Sequence, residues 1–308
     1  MHWSVVVDAP DQVGESPFWH PLERMLYWVD IPARQLRRLA PGVGTVQSWD
    51  MPSEPGCIAP ARSGGLVIGL RDGIYRALTW GGALRLVHQL DHDTTTTRVN
   101  DGKADPAGRF WVGTLYEPRN AALARLMSVD LRFAGEEAGS PTVCLQADGA
   151  TTANGLAWSP DAATVYWADS PRHIIQAWDW NAASNQMCRP RVFHRFAGKP
   201  DGWQPGLSGY GGRPDGATVD SQGNYWCAMF EGQRLLKLSP AGAVVQELSV
   251  PMRCPTMPCF GGDDLRTLYL TSASHNRSAQ ELAEFPLSGR IVSTRVDVPG
   301  LPVNFVND

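Results

Sequence analysis

A short unit made of a turn, a strand rich in β-branched and aromatic residues, a second turn and a further strand recurs six times along the chain. The predicted strand pairs cover residues 25–30 with 34–39, 66–70 with 73–78, 106–113 with 124–129, 164–169 with 174–178, 225–229 with 234–238, and 267–272 with 282–285. Over 308 residues the copies average about 51 residues each, which is close to the length of the repeats that form propeller blades. Because one such unit cannot bury its apolar face alone, the repeat predicts blades packed side by side.

The frequency of glycine and proline excludes most helical folds. With 31 glycines and 24 prolines, the chain is interrupted too often for helix bundles or βαβ units, and no long stretch has a helical period. A ring of four-stranded sheets leaves only short strand edges and brings loops from every blade to one mouth of a central channel. We therefore predict an all-β, six-bladed β-propeller that forms a single domain over residues 1–308. The valines at positions 5–7 are expected to complete the last blade by pairing near residues 291–293.

Charge and apolar content limit the partners of this chain. A formal charge of -4 and a pI near 6.0 provide no basic surface for nucleic acid or anionic lipid, so a small molecule is the expected partner. The N-terminus has no basic region followed by a long apolar segment, so neither secretion nor membrane insertion is expected. Six cysteines without a CxxC pair are expected to be reduced and buried, which favours the cytoplasm. The sequence indicates no particular oligomeric state.

Four short polar clusters lie far apart in the sequence, each beside a strand-like run. They are Gly14-Glu15-Ser16-Pro17, Arg98-Val99-Asn100-Asp101-Gly102, Asn154-Gly155 and Pro214-Asp215-Gly216. Asn-Gly and Asp-Gly are also what tight hairpin turns require, and Pro200-Asp201-Gly202 repeats one tripeptide elsewhere, so each cluster alone predicts only a turn. Their joint occurrence near blade transitions predicts turns that project into one central mouth. Two carboxylates and one amide oxygen meeting there would suit a hard or borderline cation such as Ca²⁺, Mg²⁺, Mn²⁺, Fe²⁺ or Zn²⁺.

Five stretches of the sequence resemble the signature motifs of the regucalcin/gluconolactonase (senescence marker protein) family. They are Gly14-Glu15-Ser16-Pro17, Arg98-x-Asn100-Asp101-Gly102-Lys103-x-Asp105-Pro106-x-Gly108-Arg109, Asn154-Gly155-Leu156-Ala157-Trp158-Ser159, Pro214-Asp215-Gly216 and Cys259-Phe260-Gly261-Gly262. They occur in the family's order and extend from Gly14 to Gly262, so the resemblance covers essentially the whole chain. It implies a six-bladed propeller with one bound divalent metal ion.

The resemblance also implies roles for individual residues. The metal ligands would be Glu15, Asn154 and Asp215, and the substrate-binding residues would be Arg98, Asn100 and Glu117, the last following Gly113-Thr114. The implied reaction is hydrolysis of an aldonolactone, such as glucono-, arabinono-, xylono- or galactonolactone, to the aldonic acid. The pocket walls that select among these lactones are expected from residues 115–120 and 199–212.

Asp215 is the predicted catalytic residue, acting as a metal ligand and accepting a proton from the attacking water. Arg98 and Asn100 would hold ring hydroxyls or the developing oxyanion, and Asp101 is expected to play a supporting role. Two other functions fit the same residues. A metal-dependent organophosphate or ester hydrolase would favour an apolar mouth, and a non-enzymatic calcium-binding regulator would need a broad exposed binding surface.

Four tryptophans recur at equivalent strand positions: Trp28, Trp111, Trp167 and Trp226. Large aromatic side chains contribute most to packing when they are buried. We therefore expect these residues to pack inside the blades rather than to form a platform for sugar binding.

Overall fold

Four-stranded antiparallel sheets account for nearly all regular structure in the computed structural model, which describes residues 2–42, 44–132 and 140–308. After β1 (Ser4–Val7), blade 1 contains β2 (Gly14–His20), β3 (Met25–Asp30), β4 (Gln35–Leu39) and β5 (Gln47–Asp50). Blade 2 contains β6 (Pro55–Pro60), β7 (Leu66–Leu70), β8 (Gly73–Ala77) and β9 (Arg85–Gln89). Blade 3 contains β10 (Thr97–Ala104), β11 (Phe110–Tyr116), β12 (Ala124–Asp130) and β13 (Thr142–Ala150).

The remaining three blades repeat this order. Blade 4 contains β14 (Ala153–Trp158), β15 (Thr164–Asp169), β16 (Ile174–Asn181) and β17 (Gln186–Arg195), and blade 5 contains β18 (Arg213–Val219), β19 (Tyr225–Phe230), β20 (Arg234–Leu238) and β21 (Val244–Ser249). Blade 6 combines β22 (Pro255–Gly261), β23 (Thr267–Ser272) and β24 (Ile291–Arg295) with β1 as its outer strand. Ser4 lies opposite Ser293 and Val5 opposite Val292, so the predicted closure of the ring by the first strand is confirmed. The fold is the predicted six-bladed β-propeller.

One predicted strand is wrong. Residues 282–285, expected to be the return strand of the sixth pair, belong mostly to the helix α1 (Ala279–Glu284), and the return strand is β24. The Ser278 hydroxyl accepts a hydrogen bond from the backbone N–H of Glu281 (3.1 Å), which is the Ser-x-x-Glu pattern of a helix start. No helix within the described ranges has the length and apolar character needed to cross a membrane.

Every innermost strand carries a register shift near its start. The shifts fall between residues 15 and 18 of β2, 55 and 57 of β6, 99 and 102 of β10, 154 and 157 of β14, 214 and 217 of β18, and 255 and 258 of β22. A bulge of this kind bends a strand and redirects a side chain without ending the sheet. The six bulges therefore bring side chains from all blades towards the same end of the channel.

The four recurring tryptophans pack inside the blades, as predicted. Trp28 and Trp111 are fully buried, and Trp226 and Trp167 are nearly so. Three of them also donate their indole N–H to a buried aspartate: Trp28 to Asp11 (2.9 Å), Trp111 to Asp105 (2.7 Å) and Trp226 to Asp220 (3.0 Å). Since a buried indole N–H needs an acceptor, these aspartates allow a tryptophan at the centre of the blade.

The C-terminal segment closes the end of the channel opposite the bulges. A cavity of about 290 Å³ lies at this closed end, between the C-terminal halves of the innermost strands and residues 301–304. Val306 forms a bridge with Ala61, and Asn304 Nδ2 donates to the Ala104 carbonyl oxygen (3.1 Å). These contacts leave the end with the bulges as the open mouth of the channel.

All six cysteines are free thiols, but only four of them are buried. Cys144 on β13 is half-buried and Cys188 on β17 is exposed, so the expectation that every thiol is buried is wrong for these two. Both lie on outermost strands, where one face of the sheet meets solvent.

Candidate functional site

One cavity of about 440 Å³ lies at the end of the channel where the innermost strands begin. Its lining includes all six residues selected from the sequence: Glu15, Arg98, Asn100, Glu117, Asn154 and Asp215. They come from β2, β10, β14, β18 and the loop after β11, and therefore from four different blades. The fold thus gathers polar side chains that are far apart in the sequence into one site.

The expectation that these clusters sit at turns is wrong. Glu15, Asn100, Asn154 and Asp215 all lie inside innermost strands, at or next to the bulges. Gly155 has a φ of +61°, and a Cβ atom there would collide with the Tyr225 hydroxyl, so glycine is required by the bulge rather than by a hairpin. By contrast, Pro200-Asp201-Gly202 does form an exposed turn.

Two buried aspartates fix the backbone just before two of the predicted metal ligands. Asp30, at the end of β3, accepts hydrogen bonds from the backbone N–H groups at positions 12 and 13 (2.9 and 3.1 Å), shortly before Glu15. Asp169, at the end of β15, accepts hydrogen bonds from positions 151 and 152 (3.2 and 3.3 Å), shortly before Asn154. Each aspartate accepts two backbone N–H groups and so holds the start of the innermost strand in place.

A chain of hydrogen bonds links blade 3 to blade 5 across the site. Arg98 Nη1 donates to Asn100 Oδ1 (3.0 Å), and Asn100 Nδ2 donates to Asn154 Oδ1 (2.9 Å) and to the carbonyl oxygen at position 153 (2.8 Å). Asn154 Nδ2 donates to Ser170 Oγ (2.8 Å), and the Ser170 hydroxyl donates to the Pro214 carbonyl oxygen (2.6 Å). This chain sets the orientation of the Asn154 amide, with its oxygen towards Asn100.

The hydrogen-bond chain narrows the role predicted for Asn100. Both N–H groups of its amide are already used, so Asn100 can accept a hydrogen bond from a sugar hydroxyl but has no donor left for an oxyanion. Arg98 keeps a free donor, because its Nη2 atom makes no hydrogen bond with any residue in the described ranges. Of these two residues, only Arg98 could therefore donate a hydrogen bond to an oxyanion.

Three carboxylates lie close enough to influence one another around the site: Asp101 and Asp215 are buried, and Glu15 is half-buried. Burial raises the pKa of Glu15 well above its ordinary value, and the charges of Asp215 and Asp101 raise it further. Burial raises the pKa of Asp215 to about 7, although the nearby Arg213 opposes this effect. Burial also raises the pKa of Asp101, against the lowering effect of Lys103. Such a concentration of like charge away from water would be relieved by a bound cation.

The side-chain oxygen atoms around the site suit a divalent cation that prefers oxygen ligands. Asp101 Oδ1 is buried without a hydrogen-bond partner, and the Asp215 carboxylate accepts no hydrogen bond from a described residue. Within the described ranges, no three His, Cys, Asp or Glu side chains form a group that could hold a metal ion. An ion bound by Glu15 and Asp215 would therefore also need the Asn154 amide oxygen and water, which is a donor set typical of Ca²⁺ and other hard cations.

Ser170 was not selected from the sequence, yet it orients a predicted metal ligand. We expect Ser170→Ala to weaken divalent-cation affinity about 10- to 100-fold, because the Asn154 amide would no longer be held by a hydroxyl. Titration calorimetry with Ca²⁺ or Mn²⁺ measures this effect, and the thermal midpoint shows whether the variant is folded. Unchanged affinity in a folded variant would contradict the role of Ser170.

Glu117 is the most exposed of the six selected residues and forms part of an ion-pair network. Its carboxylate accepts two hydrogen bonds from Arg71 (3.0 and 3.1 Å), and it lies 3.7 Å from Arg98 Nε. Arg71 also donates to Glu54 (2.9 Å). Both Arg71 and Glu54 line the cavity but escaped the sequence analysis, since Arg71 precedes an Asp-Gly pair that resembles an ordinary hairpin turn.

The two loops expected to form the pocket walls behave differently. Leu115, Glu117 and Arg119 line the cavity, as expected for residues 115–120. Of the residues at 199–212, none is among the lining residues in the described structure. Lys199 instead contacts Glu231 (3.0 Å), which lies behind the cavity wall formed by Arg213.

Comparison with known proteins is consistent with this geometry. The family model described as the SMP-30/Gluconolactonase/LRE-like region matches residues 13–274. A protein named 6-deoxy-6-sulfogluconolactonase from Pseudomonas putida is 42% identical over 295 residues, covering 96% of this chain and 95% of the relative. Regucalcin from Gallus gallus is 31% identical over 295 residues, covering 94% and 93%.

A solved structure has the same fold. The calcium-binding protein regucalcin from Agrobacterium tumefaciens superposes with a TM-score of 0.86 at 22% identity, covering 98% of this chain and 96% of that one. The family model covers most of the chain, and two relatives align over nearly its whole length at 30% identity or more. The chain belongs to the SMP-30/gluconolactonase/LRE-like family.

Proposed function

We propose that this protein is a divalent-metal-dependent hydrolase that opens a sugar lactone, an aldonolactone, to the aldonic acid. The observation that carries the proposal is the meeting of Glu15, Asn154 and Asp215 with Arg98 and Asn100 in one polar cavity. Membership of a family with relatives named for lactonase activity supports the reaction class.

Glu15, Asn154 and Asp215 would hold the ion. When bound, a divalent cation polarises a carbonyl oxygen and makes nearby water more acidic. Asp215 is placed to act as a general base, because its carboxylate lies beside the proposed ion and is not engaged by a described hydrogen-bond donor. It would take the proton from the water that attacks the lactone carbonyl carbon.

The remaining residues would bind and orient the sugar. Asn100 Oδ1 would accept a hydrogen bond from a ring hydroxyl, and Arg98 Nη2 would donate to the oxygen that gains negative charge as water adds. Glu117 would accept from a hydroxyl at the cavity wall while it stays paired with Arg71. Oriented donors and acceptors of this kind lower the barrier by fixing the substrate in a reactive geometry.

The lining of the cavity disfavours the alternative hydrolase. An aryl ester or organophosphate would require an apolar mouth, whereas Arg71, Glu54, Arg98 and Glu117 make this wall strongly polar. The experiment that separates the functions compares glucono-, arabinono-, xylono- and galactonolactone with phenyl acetate and a phosphotriester, by acid release at constant pH. We expect kcat/KM for at least one aldonolactone to exceed the values for phenyl acetate and the phosphotriester by more than about 100-fold. Hydrogen bonds to sugar hydroxyls can supply an effect of this size. Binding of metal and lactone without turnover would instead favour the regulatory alternative.

Metal binding should release protons near neutral pH. The raised pKa values of Glu15 and Asp215 mean that the metal-free protein retains protons on these carboxylates as the pH approaches 7 from below. Because the ion requires ionised ligands, its affinity should rise as the pH increases from 5 to 7 and then level off. Calorimetry in two buffers of different ionisation enthalpy measures the released protons. Affinity that is independent of pH over this range would contradict the assignment of these carboxylates as ligands.

A further inference from the structure

The cavity wall carries more positive charge than the proposed chemistry needs. Five arginines line the cavity within the described ranges, from blades 2, 3, 5 and 6 and the loop after β11: Arg71, Arg98, Arg119, Arg213 and Arg277. Of the lining carboxylates, Glu15 and Asp215 are assigned to the metal ion, which leaves Glu54 and Glu117. Both of these are bonded to Arg71.

A second group of cations outnumbers the carboxylates that it contacts. Glu231, with its side chain only 6% exposed, accepts hydrogen bonds from Lys199 (3.0 and 3.1 Å) and from Arg213, and lies 3.5 Å from Arg277 Nη1. Arg277 Nη1 also lies 3.6 Å from Glu281 Oε1, so two carboxylates face three cations. This group, to which Arg213 and Arg277 of the cavity wall belong, therefore keeps a net positive charge.

Arg119 has no ion-pair partner within the described ranges. The charges that act on its guanidinium are those of Arg213, Asp215, Glu117 and Glu231, but none of these carboxylates forms a salt bridge with it. Its backbone is in the left-handed region, with φ at +56°, and its N–H donates to the Tyr116 carbonyl oxygen (3.1 Å).

We infer that the lactone opened in this cavity carries an anionic group, such as a sulfonate, phosphate or carboxylate, distant from its carbonyl carbon, and that Arg119 binds this group. The inference rests on the proposed function and names the substrate class of the same site. Guanidinium groups bind such oxyanions through paired N–H donors, and Arg213 supplies additional positive charge near Arg119. Arg119 is thus a specificity-determining residue, whereas Arg98 and Asp215 act at the reacting carbonyl group of the lactone.

The test compares 6-phosphogluconolactone, 6-deoxy-6-sulfogluconolactone and gluconolactone on the metal-loaded enzyme. The two charged lactones should exceed gluconolactone in kcat/KM by at least about tenfold, since a charge-assisted hydrogen bond contributes roughly that factor or more. Arg119→Gln should raise KM for the charged lactones at least about tenfold, leaving kcat and the kinetics of gluconolactone unchanged. Arg119→Lys should recover part of the affinity, because it keeps the charge but not the paired donors. The ratio between the sulfonated and phosphorylated lactones identifies which oxyanion is preferred.

Arg85→Gln is the matched control, because Arg85 is exposed on the outer strand β9 and its loss changes the net charge equally. Equal turnover of neutral and charged lactones would overturn the inference and leave the proposed function intact. If no lactone is opened, the proposed function fails, and calorimetry with glucose 6-phosphate and glucose decides the anion site separately. Tighter binding of glucose 6-phosphate that is lost in Arg119→Gln supports the site, and equal binding of the two sugars overturns it.

Discussion

Replacing Asp215 with alanine or asparagine should reduce kcat for lactone hydrolysis by at least about 10³-fold, within the range expected when a general base is removed. The loss should be larger than for any other single substitution in the cavity, because Asp215 is both the proposed proton acceptor and a proposed metal ligand. Asp215→Asn should fold, since it preserves the shape of the side chain and removes one of three mutually repelling carboxylates. Steady-state kinetics with circular dichroism measures both outcomes.

The chain supplies a matched control for this substitution. Asp201 occupies the same Pro-Asp-Gly tripeptide in an exposed turn outside the cavity, so Asp201→Asn should leave turnover unchanged. A folded Asp215→Ala protein with wild-type activity would show that Asp215 is neither the base nor an essential ligand.

Chelation should reduce lactone turnover to the background rate, and a single added divalent cation should restore it. The charges of Glu15 and Asp215 repel each other, so the metal-free site keeps this repulsion and has no ion to polarise the lactone carbonyl. Binding only to the folded state should also raise the thermal midpoint, since a ligand at 100 times its Kd adds about 2.7 kcal/mol of stability. Activity assays and thermal melts across a series of cations measure both effects.

Glu15→Gln distinguishes a specific site from general stabilisation by salt. This variant keeps the shape of the side chain but loses the ligand charge, so the added cation should restore neither activity nor the thermal midpoint. Full activity of chelated wild-type protein, with no metal found by elemental analysis, would contradict a metal-dependent reaction.

The blade architecture was predictable because the second and third strands of each blade have strong local signals. Strands such as β3 and β7 match the predicted ranges, since their β-branched and aromatic residues are buried on both faces. The helix α1 was missed because Leu282 and Phe285 suggested a strand, although Ser278 and Glu281 already formed a helix-start pattern.

The site was predictable at the level of residues but not of backbone geometry. Asn-Gly and Asp-Gly pairs occur both in turns and in bulges. The sequence therefore could not distinguish Asp215, which lies within a strand, from Asp201, which lies within a turn. Ser170 and Arg119 carry no local motif at all. Their importance depends on which side chains the closed ring brings beside them, and that is a property of the tertiary structure.

The most direct test of the account is anomalous diffraction from crystals grown with Mn²⁺ or Zn²⁺. We predict one strong peak in the cavity, within about 2.0–2.6 Å of carboxylate oxygens of Glu15 and Asp215 and the amide oxygen of Asn154, as expected for oxygen ligands of divalent cations. The absence of a peak in the cavity, or a peak away from these three oxygens, would contradict the proposed metal centre and the lactone chemistry that depends on it.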